Sequence, residues 1–254
     1  MRNLIAGEFR KLLTTRLWVW LLLASVALTG LYAGLLIAFS GHAGTWTPPL
    51  STAAGQQTLF AVAGGGASTL VAVLGAIAIT GEFRHRTATA TFLATPHRSH
   101  LVAAKLVTYA LAGIGYALAC LAAVAAIAVP WLAAKGISLS LTSNGLPGAM
   151  LGVLADITIF ALIGVGLGAL VRNQVAAVAA LLVYRFVAEP IVTAIPALAD
   201  WTRYLPGSAS ASLTQVSLTT QQFLQPWQGG LVLAAYAAAF ALAGTLTMIR
   251  RDVS

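Results

Sequence analysis

LWVWLLLASVALTGLYAGLLIAF, residues Leu17–Phe39, holds no charged side chain. A helix rises about 1.5 Å per residue, so about 20 such residues cross a hydrocarbon core of about 30 Å. Five further apolar runs follow, Leu59–Thr80, Leu106–Trp131, Gly148–Val171, Val175–Ala197 and Gly229–Ile249. None shows the strand-period alternation of a β-barrel. Of the 254 residues, 59% are hydrophobic and 8% charged. A soluble domain carries about 25% charged residues, and so few charges could not cover a water-soluble surface of this size. The sequence therefore predicts an all-α integral membrane protein with six transmembrane helices in one domain, residues 1–254. The first run is too long for the apolar part of a signal peptide, about 7–15 residues, and reads as a retained anchor.

Orientation follows from the basic residues. With the N-terminus in the cytoplasm, the inner segments hold Arg2, Arg10, Lys11, Arg16, Arg84, Arg86, Arg98, Lys105, Arg172, Arg250 and Arg251, while the outer loops hold only Lys135 and Arg203. That bias satisfies the positive-inside rule and puts both termini in the cytoplasm. Trp18 and Trp20 then mark inner edges, and Trp131, Trp201, Tyr204 and Trp227 outer ones, where amphipathic rings suit the headgroup layer. The net charge of +8 belongs to span ends, so it speaks for anionic lipid and against nucleic acid. Cys120 is the only cysteine and can make no intrachain disulfide. No spacing of His, Cys and Asp suggests a metal site, and no Ser/His/Asp set suggests an intramembrane protease.

Two loops are long enough to hold structure. Leu198–Gln228, on the outer side, carries Leu213, Val216, Leu218 and Phe223, which predict partial order dipping back toward the bilayer. Gly81–Leu106, GEFRHRTATATFLATPHRSHLVAAKL, is basic around a semi-apolar centre that ends at Pro96. Proline lacks an amide hydrogen and turns the preceding residue from helical angles, so a short surface element stops near Thr95. On residues alone, a lipid-contacting amphipathic loop and a docking surface for a cytoplasmic partner are both open.

An acidic residue at the end of the second span, then basic residues, Thr, a small-residue stretch, Pro, Arg and a Lys opening the third span resembles the permease subunits of bacterial type-2 ATP-binding-cassette (ABC) exporters. Glu82, Arg84, Thr87, Pro96, Arg98 and Lys105 carry the likeness. GEFRKLLTTRLW, Gly7–Trp18, is similar to the amphipathic N-terminal helix before that family's first span. YLPGSASASL, Tyr204–Leu213, resembles its Leu-Pro stretch between spans five and six. With the six-span plan the resemblance covers essentially the whole chain. One departure is His85-Arg86 before Thr87, where the family commonly has Gly.

The resemblance implies a translocation pathway formed by two permease units, as a homodimer or a heterodimer, with cytoplasmic ABC ATPase subunits beneath. A coupling helix between spans two and three would seat in the ATPase, through Glu82, Phe83, Arg84, Arg86, Thr87, Pro96 and Arg98. Glu8, Arg10 and Lys11 of the N-terminal helix would lie at the same interface. The chain has no G-x-x-x-x-G-K-[ST] phosphate loop, and its lysines are Lys11, Lys105 and Lys135. It is therefore expected to be no enzyme, with ATP and Mg bound by the partner and no cofactor of its own. The rival readings are a non-transporting assembly or regulatory protein and an ion-coupled secondary transporter. The cargo is open among drugs, lipids, peptides and polyketides, and the expected location is a bacterial inner membrane.

Asp156, Arg185 and Glu189 fall inside predicted spans, where a charge costs about 2.5–3.5 kcal/mol on insertion scales. They either line the pathway or form an internal salt bridge joining the fourth and fifth spans, with Arg185 able to pair with either acid. A proton relay is a third reading, against which stands the absence of His from every span. Gly64–Gly66, Gly148 with Gly152, and Gly164 with Gly168 suit close helix packing, a dimer face or a flexible joint. Pro190 and Pro196 are expected to bend or break the fifth span.

Overall fold

A computed structural model describes residues 2–40, 48–84, 98–215 and 224–250 of the chain. Amphipathic α1 (Arg2–Thr14) precedes α2 (Leu17–Phe39), α3 (Ala53–Arg84), α4 (Arg98–Ala134) and α5 (Leu146–Val171). The fifth crossing is composite: α6 (Gln174–Val183), a π-helical turn (Tyr184–Ala188) and α7 (Glu189–Thr193). A 3₁₀ turn (Pro196–Leu198), α8 (Ala199–Thr202) and α9 (Pro206–Thr214) lead to α10 (Pro226–Arg250). Six of these units are long and apolar enough to cross a membrane. The architecture is that of a multi-pass membrane protein, and no strand occurs among the described residues.

Polar contacts fix which ends lie together. At one end, α1 meets the end of α3 and the start of α4 through Glu8, Glu82 and Lys105. Arg84 donates to Gln174 at the start of α6, 3.2 Å, and Arg172 donates to the carbonyl of Thr247. At the other end, Lys135 donates to the carbonyl of Ile37, 3.0 Å, and Gln56 to that of Ser138, 3.0 Å. Exposed Trp131, Trp201, Tyr204 and Trp227 belong to segments at this second end. An exposed ring there fits an interfacial belt.

α3 and α5 are the centre and α2, α4, α6 and α10 the rim. Apolar helices gain nothing by hiding from lipid, so their association depends on close backbone approach. Gly164 and Gly168 lie on the carbonyls of Ala72 and Ala76 in α3, where a Cβ would strike backbone. The small-residue pairs thus serve packing within the subunit.

The fifth crossing breaks where proline requires it. Pro190 cannot donate to the carbonyl of Phe186 one turn back. The chain adopts a π register just before it, with the amide of Glu189 donating to the carbonyl of Tyr184. The helix ends at Thr193, four residues short of the predicted Ala197, and Pro196 opens the 3₁₀ turn. The 198–228 connector is ordered over α8 and α9, and α9 wedges against α5 and α10. Its Ser208, Ser210, Ser212 and Thr214 are buried. Ser212 and Thr214 return their hydroxyls to carbonyls one turn back, which lets a polar helix pack among apolar ones. Val216, Leu218 and Phe223 lie outside the described residues.

Candidate functional site

Two charged clusters stand at different levels of the bundle. The first closes the α1 end. Lys105 of α4, 2% exposed, donates to Glu8 Oε2 at 2.5 Å and Glu82 Oε1 at 2.9 Å. Lys11 of α1 donates to the same two acids, 2.7 Å to each. Two lysines and two glutamates thus tie three helices in a closed ring. Glu8 and Glu82 are both buried, whereas the Lys11 side chain is 49% exposed. Partial burial opposes the Lys11 charge, but hydrogen bonds and charges of Glu8 and Glu82 outweigh it and hold the ammonium above its ordinary range.

This ring takes in three of the residues expected at the partner interface. Glu8, Lys11 and Glu82, expected to face a partner, are held against one another and Lys105 inside the subunit. Arg10 is exposed. Phe83 packs on the core with the Arg172 guanidinium 5.6 Å from its ring centre, and Arg84 is exposed beside Gln174. Arg86, Thr87, Pro96 and the expected coupling helix lie outside the described residues, as does the side chain of Arg98.

The second cluster lies inside the bundle. Arg185 and Glu189 pair at 3.3 Å across the π turn. Glu189 Oε1 also accepts from the amide of Gly207, at 2.5 Å, in the first turn of α9. A carboxylate there meets the positive end of the helix dipole. Gly207 leaves room for both groups: a Cβ would sit 2.6 Å from each Glu189 oxygen and collide with Arg185. The salt bridge between the fourth and fifth spans, expected as one option, is not formed. The pair is local to the fifth crossing and anchors α9 instead.

Beside the pair opens a cavity of about 380 Å³ between α3, α5, α6, α9 and α10. Phe160, Leu181, Tyr236 and Phe240 give it apolar walls, and Arg185 and Glu189 a single charged corner. The hydroxyls of Thr69 and Tyr184, which also line it, have no hydrogen-bond partner among the described residues. Concave, mostly apolar sites with a few convergent polar groups suit small lipophilic ligands.

Asp156 lies about 15 Å along α5 from Leu146 at 1.5 Å per residue. It is 0% exposed. Its Oδ2 is 3.2 Å from where a Cβ on Gly64 would stand, with Thr214 on the same spot. The hydroxyls of Ser210 and Ser68 face it, yet neither oxygen completes a hydrogen bond by distance and angle with any described residue. Ser68 and Ser210 went unnoticed in the sequence. Ser210 carried no signal, because its approach to Asp156 depends on where α9 packs.

No group of three or more His, Cys, Asp or Glu side chains that could hold a metal ion occurs among the described residues. No family model matches the chain, and no curated protein matches it significantly.

Proposed function

We propose that the chain is the membrane-spanning subunit of an ATP-driven exporter of the type-2 ABC class, working as two permease copies on separate ATPase subunits. The α1 end faces the cytoplasm of a bacterial cell, in the inner membrane, and the connection between α3 and α4 engages the ATPase.

The ion-pair ring at that end is the observation that carries this reading. The helices bracketing segment 85–97 are α3 and α4, and the ring ties both to α1 through Glu82, Lys105 and Glu8. A push on the segment from below moves three helices together, and α3 is the most buried of the spans. Such a push changes access only if the ATPase binds two states of the bundle differently. Force from ATP must come from a partner, because the chain lacks a phosphate loop. Exposed Val175, Val183, Phe186, Val187 and Ile191 on the fifth crossing offer an apolar face to lipid or to the second copy.

Arg84 is the cleaner contact residue, since it is exposed and outside the ring, whereas changing Glu82 also breaks the fold's own support. Affinity purification of the tagged chain from mild detergent tests the proposal. A phosphate-loop ATPase should accompany it in near one-to-one ratio, and Arg84→Ala with Arg98→Ala should lose most of it while membrane yield is unchanged. Purification of the chain free of any such ATPase refutes the reading. An ion-coupled secondary transporter is the second reading, favoured by the buried carboxyl of Asp156.

A further inference from the structure

We propose that Asp156 is a proton-binding site of the membrane interior, closed by the re-entrant helix α9 and emptied when α9 withdraws. Nothing in the export reading requires such a site, so the inference goes beyond it.

The groups facing Asp156 decide what it can bind. Ser68 on α3 and Ser210 on α9 offer hydroxyls, and Arg185 in the π turn is the charged group that acts on it. Both α4 and α10 also pack on α5, but among the described residues neither places a charged group against Asp156. Arg185 is committed to Glu189 at 3.3 Å and does not pair with Asp156. An ionised carboxylate here would have neither a counter-ion in contact nor a completed hydrogen bond. That is the least tolerable state for a buried acid. A hard metal ion needs about six oxygen ligands, and one carboxylate with two hydroxyls falls short. A proton needs no room. Binding it forms one O–H bond, removes the charge, and leaves a donor that either serine can accept.

Geometry also supplies the gate. Gly152, one turn from Asp156 on α5, lies against the carbonyl of Leu213, and Thr214 reaches to Gly64. α9 therefore seals the acid by glycine-mediated contact that any retreat opens. Once wetted, the ionised carboxylate is solvated and no longer bears the cost of burial. At neutral pH its O–H bond then breaks and the proton passes to water. Each excursion of α9 releases one proton, and each return requires one.

Infrared spectroscopy of the full-length protein in lipid nanodiscs, with aspartate-selective ¹³C labelling, tests this. The chain has three aspartates, Asp156, Asp200 and Asp252. At pH 7 the labelled wild type should show a protonated-carboxyl stretch that is absent from Asp156→Asn, and slow to shift in D₂O. Gly152→Ala, which displaces α9, should speed that shift at least tenfold. The labelled wild type alone also decides the matter should Asp156→Asn fail to fold. Aspartate signal wholly in the carboxylate region, or a protonated band that survives Asp156→Asn, overturns the proposal. Purification with an ATPase bears on neither result, so the two proposals fail separately.

Discussion

Replacing Lys105 by Ala should destabilise the protein far more than replacing Lys11, although each lysine makes the same two ion pairs. Lys105 is buried, so its removal leaves Glu8 and Glu82 in a low-dielectric pocket with Lys11 as the remaining lysine of the ring, which is itself half in water. Breaking a buried pair from one side costs about 3–5 kcal/mol. Lys11 is 49% exposed. Water screens its charge, and exposed pairs contribute about 0–1 kcal/mol. At about 2–4 °C per kcal/mol for a chain of this length, Lys105→Ala should lower the apparent melting temperature by about 6–20 °C. Lys11→Ala should lower it by less than about 4 °C. Both are read in one detergent at one scan rate, because irreversible unfolding makes such midpoints rate-dependent. Neutralising the core of the ring together, Lys105→Met with Glu8→Gln and Glu82→Gln, should recover most of the loss, since a buried pair exchanged for neutral groups is often nearly neutral. Equal effects of the two single lysine changes would refute the account of the ring.

Lys11 gives a pH signature of fixed sign. Its raised pKa means that its contribution is complete below the unfolded value of about 10.4 and is lost as pH rises through the higher folded value. The difference in melting temperature between wild type and Lys11→Ala should stay constant from pH 7 to about pH 9.5 and close only above about pH 10.4; closure near neutrality contradicts it. Gly207→Ala should displace the Arg185–Glu189 pair and cut monodisperse yield, whereas Gly65→Ala, with open space at its Cβ, should behave as wild type. Gly164→Val should force α5 off α3 and cost about 3 kcal/mol or more by the overpacking scale, read as loss of folded protein on size exclusion. A tolerated Gly164→Val would show that the α3–α5 contact is looser than described.

The six crossings were legible because hydropathy is a local property. Leu17–Phe39 falls on α2 at both ends. The second crossing was predicted too short, Leu59–Thr80 against Ala53–Arg84, because Gln56, Thr58 and Glu82 belong to it as buried, bonded polar residues. A hydropathy window penalises them without seeing their partners. The proline break of the fifth span was readable, since it depends on a missing amide hydrogen, but its π register was not. The ring was hidden because its members are 97 and 71 residues apart. A lone lysine and a lone acid just beyond two span edges hinted at a pair. Arg185 chose Glu189 over Asp156 for a reason of the same kind. The amide of Gly207 and the start of α9 already hold Glu189 in place, and no single-sequence reading places that helix.

Sided labelling tests the central claim, that segment 85–97 faces the compartment that holds ATP. In a Cys120→Ala background, cysteine replaces exposed Arg84 at the α1 end or exposed Ser140 at the other, and intact cells meet a membrane-impermeant maleimide. Arg84→Cys should react only after the membrane is opened, and Ser140→Cys at once. Reaction of Arg84→Cys in sealed cells would put the lever on the side without nucleotide and contradict the account.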